Sequence, residues 1–399
     1  MKINQCSELL NLVTQEDLGL SAVVNEDLSN IVDYGKEVFD GSGISYDAYT
    51  GKLVDRIAKM IFVERKLSGN ALALYRSNYE WGAIISKVTV NSLPEAQDNS
   101  TWELEDGASY DPYLVKKPDI SVKMFDDCKV TFEIQLTITD IQLRSAFLGP
   151  DQLNSFVTML WTAVENSLTV KMESLASKTI TSFVLETLAN EFPSVSDNDY
   201  SGSTGVKAIN LLKLYNTDYG LTGTDALTKD NCLLSASFVR YASYVISKTL
   251  SRMSKISCLF NIGAKPRFTP KDKQHLVVLS DLAASSKIFL ESDTYHNELV
   301  SLGDNYVEVP YWQGSGTGYA LSSVANIHGE IKVGSSNKEI SISNVLAVAF
   351  DHDACGIFME HHRVTSAYNA KGEYTNYFDK TETHAFRDGN EPFIVFFAA

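Results

Sequence analysis

The stretch between Pro150 and Pro193 constrains the fold more than any other part of the sequence. Gly149-Pro150-Asp151 is a strong helix start, because proline is favoured in the first turn and aspartate is a good cap. Apolar residues then recur at helical spacing as far as Pro193. One continuous helix would be about 60 Å long, whereas ordinary globular helices have roughly 8–20 residues. The segment therefore either breaks near Thr169 or forms a strut across the whole molecule. It is not a coiled coil, because charges do not recur at flanking heptad positions.

A second pattern is the strict alternation of apolar and polar residues over 129–138, which is typical of a strand with one apolar face. Its apolar positions are Val130, Phe132, Ile134 and Leu136. Another strand is predicted over 81–90, and residues 91–111 between them carry six acids and no lysine or arginine. Together these segments predict a long two-stranded hairpin with an acidic tip. Such a hairpin is marginal alone, so its apolar face needs a cover from this chain or another.

The rest of the chain alternates between helices and strands. The first 50 residues predict an extended arm with at most one short helix, and a helix is predicted from Lys52 onwards. The polar stretch 194–205 is the best candidate for a domain boundary. Beyond it we expect helices over 232–253 and 281–296, and strands over 275–279, 306–309, 345–350, 356–360, 373–378 and 393–397.

Composition limits the function and the compartment. The 399 residues include 50 acids and 34 bases, a net charge of −16, so phosphate repulsion excludes DNA binding over the whole surface. The five cysteines are scattered, which fits a reducing cytosol. The N-terminus lacks the apolar stretch of a secretory signal, and the longest apolar run is far shorter than the roughly 20 residues of a membrane span. We therefore expect a soluble protein made in a cytosol, with no membrane partner.

The candidate chemical motifs have simpler explanations. The glycine-rich run 314–318 lacks the lysine and hydroxyl residue of a phosphate-binding loop. A possible metal cluster comprises Asp351, His352, Asp353, Glu360, His361 and His362. Strand alternation places His361 and His362 on opposite faces, so both cannot bind one ion. There is no Gly-x-Ser-x-Gly elbow and no obvious cysteine–histidine pair. No catalytic, cofactor-binding or metal-binding residue is predicted.

One basic stretch stands out against the acidic whole. Residues 248–273 hold seven bases, among them Lys265, Arg267 and Lys271, and a single acid. This stretch is an anion or nucleic-acid patch, a solvated helix end, or the partner of the acidic tip of another subunit. In the third case the tip acids Glu103, Glu105 and Asp106 would face it, and such complementarity fixes register more than it adds affinity.

The order of elements is distinctive: arm, helix, long hairpin, very long helix, linker, α/β region and return strands. This order resembles the major capsid proteins of tailed double-stranded DNA phages. Ile-Gln-Leu-Arg-Ser-Ala-Phe at 141–147 and Asn-Ser-Phe-Val at 154–157 resemble the entry to the long helix in capsid proteins of small short-tailed phages. Residues 348–353 and 369–377 resemble their closing strands. No protease site of an N-terminal scaffolding segment and no lysine–asparagine cross-linking pair is found.

The resemblance implies an α+β chain with the HK-97-type capsid fold. In that fold, residues 1–77 would be the N-terminal arm and first helix, and 78–140 the extended hairpin loop. Residues 141–205 and 345–384 would form the peripheral domain with its long spine helix. Residues 206–344 and 385–399 would form the axial domain.

The resemblance also implies a structural, non-enzymatic function. Such a protein assembles from hexamers and pentamers in the host cytoplasm and becomes part of the virion. Its partners are a portal and scaffold or decoration proteins, and it holds packaged double-stranded DNA non-specifically, without a cofactor. The candidate intersubunit contacts are Val130, Phe132, Ile134, Leu136, Glu103, Glu105, Asp106, Lys265, Arg267 and Lys271. Two alternatives are an encapsulin-like nanocompartment shell, and a cytosolic hydrolase that uses the acidic loop carboxylates.

Overall fold

The structure is a computed structural model. It describes residues 3–41, 44, 48–57, 85–91, 113, 117, 119–125, 129–195, 198–291, 306–313, 324–333 and 336–399. Its helices are α1 (Ile3–Leu12), α2 (Ile31–Lys36), α3 (48–57), α4 (Asp140–Ala146), α5 (Pro150–Glu191), α6 (Leu211–Asp218), α7 (Ala236–Met253) and α8 (Ser280–Glu291). Its strands are β1 (Ile85–Val90), β2 (Ile120–Phe125), β3 (Lys129–Thr139), β4 (Ala208–Asn210), β5 (Gln274–Leu279), β6 (Tyr306–Val309), β7 (Ile327–Val333), β8 (Ser336–Ile342), β9 (Val345–Asp351), β10 (Cys355–Asn369), β11 (Tyr374–Arg387) and β12 (Phe393–Phe397). The predicted mixture of helix and sheet is confirmed.

The long helix α5 is unbroken, so the strut alternative is correct. Pro150 occupies the first helical turn, and the 42 residues rise about 63 Å at about 1.5 Å each. α5 contacts β3, β10 and β11 as well as β7 and β12, which places it under two separate sheets. Of the helices that the structure describes, none is both long and apolar enough to span a membrane.

The strands form two larger sheets and two ribbons. One sheet has three antiparallel strands in the order β10-β11-β3. The other has five strands in the order β4-β12-β9-β5-β6, with parallel pairs at both edges. β1 pairs with β2, and β7 pairs with β8.

The five-stranded sheet is buried on both faces, which explains its continuous apolar runs. Along β12, Phe393, Val395 and Phe397 enter one hydrophobic core, together with α5 and the N-terminal helices. Ile394 and Phe396 enter a second core with α6, α7 and α8. This sheet therefore joins the two halves of the molecule.

The pairing predicted for the hairpin is wrong. The strand over 129–138 was expected to pair with the strand over 81–90, but β1 pairs with β2 and β3 pairs with β11. On β3, the apolar residues lie opposite buried residues of β11, for example Leu136 opposite Tyr377. Because this buried face packs against the chain's own core, tertiary packing decides the partner of β3.

The prediction of an extended N-terminal arm with at most one short helix is also wrong for the described residues. Helices cover 3–12, 31–36 and 48–57. Leu9, Leu10 and Val13 are fully buried. The rings of Phe39 and Phe147 meet edge to face with centroids 5.1 Å apart, which ties the arm to the turn between α4 and α5. The arm is thus part of the core rather than an extended strap.

Candidate assembly surface

The outer face of the β1–β2 hairpin is apolar and uncovered. Antiparallel pairing sets Val88 opposite Val122 and Val90 opposite Ile120, and Met124 follows on the same face. Val88 is 67% exposed, Val122 60% and Met124 65%. None of these five residues belongs to either hydrophobic core of the described chain. We call Val88, Val90, Ile120, Val122 and Met124 the hairpin strip.

The inner face of the hairpin is charged. Lys87 lies directly opposite Lys123. Their Nζ atoms lie 3.2 Å and 3.1 Å from the two carboxylate oxygens of Asp388. Oε1 of Glu391 lies 2.8 Å from Lys87 Nζ and 3.2 Å from Arg267 Nε. These five residues are the ion cluster, and they join the hairpin to the body of the protein.

Burial and charge oppose each other within the ion cluster. Burial acts against ionised Asp388, but the nearby Lys87 and Lys123 outweigh it and the pKa of Asp388 is lowered. Burial also acts against ionised Lys87, yet its two acidic partners raise the pKa of Lys87. Burial also acts against ionised Glu391. Here the effect of burial, with a contribution from Asp351, outweighs that of Lys87, so the pKa of Glu391 is raised. Asp388 is therefore the better-stabilised carboxylate of the two.

The acids of the ion cluster are held by a turn between β11 and β12. The Asp388 amide donates to the Ala354 carbonyl at 2.7 Å, and the Asp388 carboxylate accepts from the Asn390 amide at 3.1 Å. The Glu391 amide donates to the Asp388 carbonyl at 3.1 Å. Asp-Gly-Asn is a favourable turn sequence because aspartate bonds to the backbone two residues on. The backbone thus positions both residues through contacts that do not involve the hairpin.

Three of the four predicted contact residues on β3 are half-buried against the chain's own core. These are Phe132, Ile134 and Leu136. Val130 is 40% exposed. A contact between β3 and a second subunit stays a prediction, and it is available chiefly at the Val130 end of the strand.

The charged candidates are placed differently from one another. Lys271 is exposed and Lys265 is half-buried, while Arg267 is bound to Glu391 within the chain. Arg267 Nη1 also donates to the Val90 carbonyl at 3.2 Å, so it contacts the hairpin of its own subunit. The tip acids Glu103, Glu105 and Asp106 lie outside the described residues.

Sequence reasoning missed four members of the ion cluster: Lys87, Lys123, Asp388 and Glu391. The signal that exists locally is the turn at 388–391. The partners lie far apart in sequence, since Lys87 and Glu391 are separated by 304 positions. Only the folded chain brings them together.

An exposed apolar surface lies on the loop after α7. Ile256, Leu259 and Phe268 are exposed by 60%, 61% and 53%. An antiparallel bridge between Ser257 and Arg267 holds the loop, with amide-to-carbonyl distances of 2.9 Å and 3.1 Å in the two directions. This loop lies within the basic stretch 248–273, so it combines apolar and positive character.

Two residues of the possible metal cluster have partners elsewhere in the chain. His352 Nδ1 lies 3.0 Å from Nε2 of His275. His362 Nε2 lies 2.6 Å from Oδ1 of Asp379, and both of these side chains are nearly buried. Within the described ranges, no group of three or more histidine, cysteine or acidic residues could hold a metal ion. The glycine-rich run 314–318 lies outside the described residues.

Comparison with known proteins gives one family. A model of the Phi29-like phage major capsid protein matches residues 10–397. No curated protein sequence matches the chain. The capsid structure of Staphylococcus phage Andhra is similar at 10% identity and a TM-score of 0.49, covering 82% of this chain and 83% of that one. The capsid structure of cyanophage P-SCSP1u is similar at 12% identity and a TM-score of 0.44, covering 82% and 87%.

Proposed function

Because the chain belongs to the Phi29-like phage major capsid protein family and is a structural protein of the capsid shell, we propose that the hairpin strip joins its copies by lying on a neighbouring subunit. The observation that carries this proposal is the exposure of the strip, from 38% at Val90 to 67% at Val88. The family implies a non-enzymatic role, and we propose no catalysis.

In the single subunit, the apolar side chains of the strip remain exposed to water. Removing apolar surface from water stabilises by roughly 25 cal/mol per Å². A two-stranded ribbon is marginal by itself, so covering one face also stabilises the pairing of β1 with β2. A contact between two different patches of identical subunits closes into rings when the rotation permits. We propose that these rings are the hexamers and pentamers of the shell.

A second proposed contact is electrostatic. The acids around Glu103, Glu105 and Asp106 would face the basic loop of a neighbouring subunit, where Lys265 and Lys271 lie. The exposed Ile256, Leu259 and Phe268 on this loop support the proposal, since they add apolar area beside the positive charge. Arg267 already pairs with Glu391 of its own chain, so it would attract the tip acids only at long range.

The division into domains is likewise a proposal. Residues 1–77 would be the arm and first helix, and 78–140 the extended loop. Residues 141–205 and 345–384 would form the peripheral domain around α5, and 206–344 with 385–399 the axial domain. The second hydrophobic core, which is built mainly from α6, α7 and α8 on the five-stranded sheet, supports a separate axial domain.

Partners and location follow from the role in a shell. The capsid family implies a place in the virion, and we propose assembly in the host cytoplasm. We propose a portal and scaffold or decoration proteins as partners. With a net charge of −16 per subunit, the shell would hold double-stranded DNA non-specifically and without adhesion.

The proposal is tested by placing charge on the strip. Val88→Asp/Val122→Asp should give a folded subunit that forms no shells, because the carboxylates resist burial at the contact. Val206→Asp is the matched control, since Val206 is 40% exposed outside the strip, and it should assemble. Electron microscopy and sedimentation report the outcome.

Normal shells from the double variant would contradict the proposal. The strip is a better test site than Phe132, because Phe132 packs against the core of its own chain and Phe132→Asp would also destabilise the fold.

A further inference from the structure

The hairpin carries an electrostatic conflict that its own strands cannot resolve. Lys87 and Lys123 are direct partners across the ladder, and like charges at such positions repel. The Asp388 carboxylate, whose side chain is fully buried, contacts both ammonium groups. The hairpin is therefore complete only when it lies against the turn that presents Asp388.

The charges at this contact are closely matched. Glu391 contacts Lys87 from the hairpin and Arg267 from the basic loop. Asp351, at the end of β9, adds a further negative charge near Glu391. The Asp351 carboxylate itself accepts from the Asp353 amide at 2.7 Å. Lys87, Lys123 and Arg267 thus contact two carboxylates, and the nearby Asp351 balances the third positive charge.

Apolar packing by the described side chains contributes little to this contact. Of the apolar residues on the two strands whose side chains the structure describes, none belongs to the two hydrophobic cores. The rings of Phe125 and Phe386 do meet, with centroids 5.5 Å apart, and Lys123 Nζ lies 5.1 Å from the centroid of Phe125. Among the described contacts, the position of the hairpin is consequently set mainly by charge pairs whose geometry is specific, with this ring contact and the Arg267–Val90 hydrogen bond beside them.

We propose that Asp388 and Glu391 are positioning residues, which hold the hairpin at a fixed angle by its two lysines and so aim the hairpin strip at the neighbouring subunit. This inference rests on the proposed function of the strip. Removing the two lysine charges releases the hairpin, because unpaired Asp388 is then better solvated when the hairpin has moved away. The body keeps its fold, since Arg267 still contacts Glu391.

The test measures the hairpin angle in the unassembled full-length protein. Spin labels are attached at Val122→Cys on the strip and Tyr244→Cys on α7, with Cys128 and Cys258 replaced by serine. Both labelled positions are exposed by 60%, so the labels disturb neither core. In this background, Lys87→Met/Lys123→Met should shift and broaden the distribution of label distances. The matched control Lys87→Arg/Lys123→Arg keeps both charges and should preserve the original distribution.

An unchanged distance distribution in the methionine variant, with the body folded by near-UV circular dichroism, would overturn the inference. A shifted distribution in a variant that still forms normal shells would also overturn it, because the angle would then not matter for assembly. The first measurement needs no shell, so it separates failure of this inference from failure of the proposed function.

Discussion

At the scale of single residues, the nearly buried side chains of His362 and Asp379 form a pair that the sequence alone does not predict. His362 lies on β10 with its side chain 5% exposed, and Asp379 lies on β11 with 8% exposed. Strand alternation correctly predicts that adjacent side chains point to opposite faces of the sheet. It does not identify the residue on the neighbouring strand that each side chain contacts. The pair gives His362 a structural partner inside the subunit.

We predict that His362→Leu destabilises the protein by about 3–5 kcal/mol, because it leaves the Asp379 carboxylate buried without its partner. The double variant His362→Leu/Asp379→Leu should recover most of this loss, since it removes the buried charge. Urea unfolding followed by fluorescence measures both values.

The control for this prediction is His328→Leu. His328 Nε2 lies 3.4 Å from Glu339, but both side chains are well exposed, so the change should stay within about 0.5 kcal/mol. Equal losses for His362→Leu and His328→Leu would show that the buried pair has no special role.

A second residue-scale prediction concerns pH. Burial acts against ionised Glu191, but Lys207 and the backbone amides of Val206 and Lys207 outweigh it, so the pKa of Glu191 lies below its usual 4.5. Its stabilisation is therefore present above about pH 4.5 and is lost as pH falls through the lowered pKa. The stability difference between the natural protein and Glu191→Gln should be largest at neutral pH and shrink towards pH 3 in denaturant titrations. A difference that stays constant with pH would contradict this assignment.

At the scale of elements, the sequence predicts regular features well and long-range partners poorly. The helix start at Pro150 and the strands at 306–309 and 393–397 are where the patterns place them. β10 extends well beyond the predicted 356–360, because most of its outer residues are exposed and local apolar patterning does not mark them. β11 extends well beyond the predicted 373–378, because its further buried positions hold polar residues such as Thr381 and Thr383, which an apolar pattern also misses. The β7–β8 ribbon was missed. The pairing of β3 with β11 joins residues more than 200 positions apart, and only tertiary packing decides it.

The same limit applies to the candidate assembly surface. The sequence indicated a hairpin whose apolar face needs a cover, and the structure has such a face, but on β1 and β2 instead of the strand with the clearest alternation. Val88 and Val122 lie on strands of six residues each, whereas β3 has eleven residues and uses its apolar face inside the subunit. Alternation therefore predicts an apolar face and does not tell which chain covers it.

A prediction at this scale concerns the acidic tip. Changing Glu103, Glu105 and Asp106 to lysine should weaken assembly, because the tip would then repel the basic loop of a neighbouring subunit. The defect should be larger at low salt than at high salt, since exposed charges are screened beyond about 10 Å at 0.1 M salt. Light scattering during assembly across a salt series measures it. If the assembly of this variant did not depend on salt, the prediction that the tip takes part in the contact would be contradicted.

At the scale of the whole molecule, a long rigid helix joins two sheets while one apolar ribbon stays uncovered. The strut of about 63 Å suits a wall one subunit thick, because it keeps the sheets in fixed positions along its length. The hairpin strip is one part of the described surface where this body leaves apolar side chains exposed, and the loop with Ile256, Leu259 and Phe268 is another. A buried core together with an exposed apolar strip is what we expect of a subunit that completes its packing by contacting its copies in a shell.

The most direct test of this account is electron microscopy of the overexpressed chain, alone and together with its neighbouring virion genes. The account predicts closed shells in which the hairpin strip of each subunit is covered by the next. A monodisperse single subunit at high concentration under both conditions, with Val88 and Val122 folded against its own body, would contradict it.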